Sequence, residues 1–175
     1  GTITEDATAT TATGTLTISD VDGDDSPTIT STSGSGANSY GTYATVLGAW
    51  TYTVSSSAID ALDADEVVYD TFVVVSVSPV NSQTVTITIT GADDASVWAG
   101  ASAGTTTEDA TATTATATLT IFDVDGDDSP TLTSTSGSGA TSYGTYATAL
   151  GAWTSTVSSS AIAPLPPDEV VHDPL

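Results

Sequence analysis

The feature that most limits what this chain can fold into is an internal repeat with a period of 103 residues. TEDATATTAT at 4–13 returns at 107–116, DVDGDDSPT at 20–28 returns at 123–131, SYGTYAT at 39–45 returns at 142–148, and Trp50 returns as Trp153. Residues 1–72 laid on 104–175 are identical at about four positions in five. Such self-similarity marks one structural unit used twice, a recent duplication of the kind found in longer arrays. The copies differ in extent, because the first continues through residues 71–94 and the second stops where that stretch should begin. The expected organisation is a complete repeat at 1–94, a small-residue linker at 95–103 and a shortened repeat at 104–175.

Within the first copy, Ala12, Gly14, Leu16 and Ile18 alternate with Thr13, Thr15 and Thr17, and Val85, Ile87 and Ile89 alternate with Thr84, Thr86, Thr88 and Thr90. A period of two is the signature of a strand with one buried face. Thr suits the solvent face, since β-branching fits the pleat. Further strands are expected at 28–32, 40–45, 49–54 and 71–77, separated by Gly, Ser, Asp and Pro at roughly ten-residue spacing. The one helical hint is SSAIDALDADE at 56–66, where Ile59 and Leu62 are three apart and suit a single capping turn. About seven short strands in one repeat predict an all-β fold of two tandem immunoglobulin-like or cadherin-like β-sandwiches, the second lacking its last two strands. Trp50 and Trp153 are expected as core anchors, while Trp98 in the linker suits either interdomain packing or contact with another chain.

Composition then removes whole classes of function. The chain has no Lys or Arg against 22 Asp and Glu, so nothing on its surface can neutralise a phosphate backbone or an anionic lipid. Neither nucleic acid nor membrane insertion is expected, and no apolar run approaches the roughly 20 residues that span a bilayer. A surface selected to be acidic, hydroxyl-rich and cation-bound is one cause for the missing basic residues. The absence of Cys rules out disulfides and thiolate chemistry. The chain opens on GTITED rather than on a basic and then apolar leader, so any export signal is expected outside this segment.

The acids are clustered. Asp20, Asp22, Asp24 and Asp25 form DVDGDD, repeated by Asp123, Asp125, Asp127 and Asp128. Carboxylates at alternate positions around a Gly can converge on a hard cation, or can simply make a solubilising turn between strands. The loop is not an EF-hand, because Ser31 and Ser134 stand where the closing bidentate acid would be needed.

GTITED, GTLTISDVDGDD, YGTYATVLGAWTYTV, ALDADEVVYDTFVV and QTVTITITGADD, in that order, resemble the VCBS-type repeats of large bacterial surface and secreted proteins, which are related in architecture to cadherin-like domains. The resemblance covers nearly all of the first copy. It implies tandem β-sandwiches in an exported adhesin, biofilm or fibre protein, often stiffened by calcium. It also implies a junction site: Glu5 matches the early acid, Asp65 and Glu66 belong to the mid-domain motif LDADE, and Asp93 and Asp94 match the linker acids. Glu108, Asp123 and Asp125 complete such a site from the second copy.

Catalysis is not expected. His172 is the only histidine and replaces Tyr69 of the first copy, and the acids sit in turns rather than facing one another across a cleft. The sequence therefore predicts a structural repeat that associates with neighbouring repeats or copies of itself at the bacterial cell surface or in secreted material. O-linked glycans on its Thr-rich stretches are a further expectation. The alternative is a carbohydrate- or protein-binding adhesion module presenting the SGSGANSYG loop at 33–41. Near-identity of the two copies along their loops favours the structural role.

Overall fold

The computed structural model describes every residue except 23–25, 78–79, 109–112, 127, 167–168, 172 and 174–175. The fold is all-β, in two compact units: Gly1–Asp94 with Val124–Asp128, and Ala95–Asp123 with Ser129–Leu175. In unit 1, β1 (Thr2–Thr4), β3 (Thr28–Ile29), β7 (Val67–Val77) and β8 (Ser82–Thr90) form a sheet in the order β1-β8-β7-β3. A second sheet has the order β2-β6-β5-β4, from β2 (Thr11–Thr15), β4 (Thr32–Ser35), β5 (Gly41–Val46) and β6 (Ala49–Val54). Both contribute to one core, which makes the unit sandwich-like.

The alternation read from the sequence is what fills that core. Trp50, Tyr52 and Val54 of β6 are buried while Thr51 and Thr53 are exposed, and Val85, Ile87 and Ile89 of β8 do the same against exposed Thr84 and Thr86. Phe72 of β7 lies between the layers, stacked on Tyr43 at 4.3 Å and edge-on to Trp50 at 5.8 Å. One helical turn, α1 (Ser56–Ile59), buries Ile59, and Leu62 follows it into the core. The β5–β6 hairpin closes through Leu47 and Gly48, both at positive φ (50° and 89°), the turn geometry that matches strand twist. A Cβ on Gly48 would collide with the Leu16 carbonyl, so glycine is required there.

The stretch 28–32 is not one strand. Thr30 gives its amide and hydroxyl to the Val75 carbonyl (2.9 and 2.7 Å), whereas the Thr32 amide donates to Thr45 Oγ1 at 2.9 Å. The chain thus leaves one sheet and enters the other within three residues. The loop after β4 is pinned by Asp70, a fully buried carboxylate on β7. It accepts the amides of Asn38 (2.8 Å), Tyr40 (3.2 Å) and Thr71 (2.8 Å) and the Tyr52 hydroxyl (2.6 Å). Burial first, and then the hydrogen bond and charge of Asp70, push the Tyr52 hydroxyl pKa upward, so it stays a donor.

Unit 2 has β9 (Val97–Gly100), β10 (Thr114–Phe122), β11 (Ser136–Ser138), β12 (Gly144–Ala149) and β13 (Ala152–Val157) in one sheet ordered β11-β12-β13-β10-β9, followed by α2 (Ser159–Ile162). The segment 95–103 therefore contains a strand, and Trp98 on it is 59% exposed. Trp153 is buried, its indole N–H donating to the Ala101 carbonyl at 2.7 Å. Among the described residues unit 2 has no second sheet. The reason lies in pairing: among the described residues β1 bonds only to β8, and β3 only to β7. Among the described residues no counterparts of β7 and β8 form, and 105–107 and 131–132 are not strands. The loop pin nevertheless recurs, with Asp173 accepting the Thr141 amide (2.8 Å) and hydroxyl (2.7 Å) and the Gly144 amide (3.1 Å). Burial works to raise the Asp173 pKa, but these hydrogen bonds outweigh it and hold the carboxyl below its usual value.

Asp70→Ala leaves two loop amides and a buried hydroxyl without their acceptor. It should destabilise unit 1 by at least about 3 kcal/mol, at roughly 1–3 kcal/mol for each buried group left without a partner. Urea unfolding followed at the amides of β7 and β8 checks this.

Candidate metal centre

At one end of unit 1, acids from four separate stretches of chain come together. Glu5 follows β1, and its amide donates to the Thr90 carbonyl at 2.8 Å, which fixes it beside the end of β8. Only 4% of the residue is exposed. Oε2 accepts the Ala92 amide at 3.1 Å, and Oε1 is buried with no hydrogen-bond partner among the described residues. Burial pushes the Glu5 pKa above the ordinary carboxylate value; the Ala92 bond opposes this, and the charges of Asp94, Asp6 and Asp125 add to the rise.

Carboxylate oxygens of Glu5, Asp60 and Asp94 lie within 4.8 Å of one another, as do those of Asp93, Asp125 and Asp128. Asp60 caps the C-terminal end of α1. The Asp94 amide donates to Asp125 Oδ2 at 2.8 Å, joining GADD to the Val124–Asp128 loop, and Asp125 is itself 4% exposed. Glu5, Asp6 and Asp60 also line one surface depression with Thr4, Thr10 and Ser56. Oxygens about 2.4 Å from a calcium ion can be no more than about 4.8 Å apart, a limit that each triad meets. Three carboxylates offer at most six of the roughly six to eight oxygens such an ion takes, leaving room for carbonyls or water.

Of the acids expected to act, the structure brings Glu5, Asp93, Asp94 and Asp125 into these groups. Asp65 and Glu66 instead form a brace. Asp65, at φ 63°, donates its amide to the Gly91 carbonyl, Gly91 donates to the Glu66 carbonyl, and Glu66 Oε2 accepts the Asp63 amide at 3.2 Å. Asp123, in unit 2, accepts the Ser96 hydroxyl at 2.7 Å. Asp20 and Asp22 are exposed, with Asp20 Oδ1 accepting the Asp22 amide at 2.9 Å, the geometry of an acidic turn. Glu108 is half-buried and joins neither triad. Asp24, Asp127 and the lone His172 lie outside the described residues. Asp60 and Asp128 take part instead. The signal for Asp60 was its loss to Ala163 in the second copy, and for Asp128 its place as the last acid of the repeated loop.

No protein-family model matches the chain, and no curated protein matches it, so the use of this site is argued from its own atoms.

A raised carboxyl pKa means that the folded state binds a proton more tightly than the unfolded state. The stability Glu5 contributes is therefore fully present below its ordinary value of 4.5 and is lost as pH rises through the elevated one. In chelator at neutral pH, Glu5→Gln should be more stable than the parent chain, and the difference should vanish in acid. Thermal melts of both proteins across roughly pH 3–8 check the sign.

Proposed function

We propose that this chain is a structural repeat segment of an extracellular bacterial fibre, filament or adhesin, stiffened by calcium, with its two units as tandem immunoglobulin-like sandwiches of the VCBS type. The observation that carries the reading is the buried Glu5 Oε1 without a partner, set beside two carboxylate triads in a chain that has no Lys or Arg. With no Lys or Arg to pair with, Glu5 is neutralised either by a proton, which its raised pKa favours in acid, or by an external cation. An ion held there cross-links residues distant in sequence, since Glu5, Asp60 and Asp94 come from the first repeat and Asp125 and Asp128 from the second.

Partial exposure and three carboxylates per group fit the weak calcium affinity of extracellular modules, on the order of 10⁻⁴–10⁻³ M. A secreted or cell-surface location supplies such concentrations. The structural role is favoured over ligand presentation by the 33–41 loop, whose Asn38 and Tyr40 amides turn inward onto Asp70 and are not offered to a ligand. Exposed hydroxyls on one sheet face, with Thr11, Thr53 and Thr42 in cross-strand register, offer places for O-linked glycans. The single sheet of unit 2 supports completion by strands of the β7–β8 kind, from the same polypeptide or a neighbouring copy, since an open apolar face and edge invite strand addition.

Millimolar calcium should raise the melting temperature of unit 1 by on the order of 10 °C over that in chelator, from about 1–3 kcal/mol of binding linkage. Glu5→Gln and Asp60→Ala should each remove most of that rise. Identical melts in calcium and chelator would contradict the proposal.

A further inference from the structure

Strands β2 and β10 are built from nearly the same residues yet differ in length. β2 ends at Thr15, whereas β10 continues through Phe122. The additional residues pair antiparallel with β9, Leu119 opposite Gly100, Thr120 opposite Ala99, Ile121 opposite Trp98 and Phe122 opposite Val97. Leu16, Thr17 and Ile18 repeat Leu119, Thr120 and Ile121, with Ser19 in place of Phe122. The backbone is set alike on the other side: Leu16 donates to the Gly48 carbonyl and Leu119 to the Gly151 carbonyl, both at 2.8 Å. In an extended chain alternate amides point to opposite edges, so 16–19 set as 119–122 are set would present the Thr17 and Ser19 amides away from β6.

We propose that residues 16–19 of unit 1 are an acceptor edge for one extended strand with the sequence Val-Trp-Ala-Gly, supplied by the junction segment of another repeat of this kind. The occupant is read from the second repeat, where the same edge is filled by β9 in a defined register. Its glycine is the specificity element. Gly100 has φ 97°, and a Cβ on it would collide with the Thr118 carbonyl; Thr15 is the equivalent residue in unit 1, so a glycine must stand opposite Leu16. The junction segment is then the first strand of the sandwich on its C-terminal side, and not a tether between sandwiches. Tension along an array of such repeats would load the strand in shear, across its backbone hydrogen bonds. The inference is independent of metal binding.

The test is to extend the full chain before Gly1 with ASVWAGASA, which restores the spacing that precedes Gly104, and to measure amide hydrogen exchange by NMR in chelator. Thr17 and Ser19 should exchange at least about tenfold more slowly than in the unextended chain, while the core amides of β6 and β8 keep their rates. The same extension with its glycine replaced by valine should return Thr17 and Ser19 to the unextended rates. Unchanged exchange at Thr17 and Ser19 in the extended chain overturns the proposal, and so does equal protection by the valine form.

Discussion

Every buried carboxylate among the described residues must be satisfied without Lys or Arg, because the sequence has neither. Removing a charge from water costs several kcal/mol unless donors or counter-charges replace the lost hydration. The fold meets this demand in two ways. Asp70 is surrounded by backbone amides and the Tyr52 hydroxyl, and the loop that supplies those amides is held in place as a result, as the half-buried Asp173 holds the matching loop of unit 2. Glu5 receives a single amide, and its other oxygen is left bare among further acids. The first arrangement is self-sufficient; the second leaves Glu5 Oε1 without a hydrogen-bond partner among the described residues, and the proposed external cation rests on it.

A second dependence runs through β7 and β8, the two central strands of one sheet. They provide Phe72, Val74, Val85, Ile87 and Ile89 to the core and, among the described residues, are the only strand partners of β3 and β1, respectively. Unit 2 lacks such a pair among its described residues, and the effect is local to the strands that would have leaned on it. Its other sheet forms in nearly the same register as in unit 1, but the flanking segments stay irregular. Sheet formation here is cooperative across strands far apart in sequence, and local propensity does not replace the partner.

This explains which parts of the fold could be read from the residues alone. Long alternating runs such as 82–90 and 49–54 announce themselves, because each carries enough inward side chains to specify a face. The turn at Ile59 was legible from the three-residue spacing of Ile59 and Leu62. β1 and β9 were not, since three or four residues carry no periodicity and each exists only through a partner, β8 in one case and β10 in the other. The break between β3 and β4 depends on where Thr45 and Val75 lie, which is tertiary information. At the candidate site, clustering of acids was visible, but selection among them was not. Asp60 enters because α1 ends beside Glu5, and Asp65 and Glu66 drop out because their turn is folded onto Gly91.

The central claim is that an external divalent cation completes the environment of Glu5. The chain has four glutamates, Glu5, Glu66, Glu108 and Glu169, so carboxyl-¹³C-labelled glutamate gives an assignable NMR spectrum. Titrated with calcium at neutral pH, the Glu5 carboxyl resonance should shift and saturate, while that of Glu66, which braces a turn and joins neither triad, stays in place. A Glu5 resonance that does not respond to calcium would contradict the account.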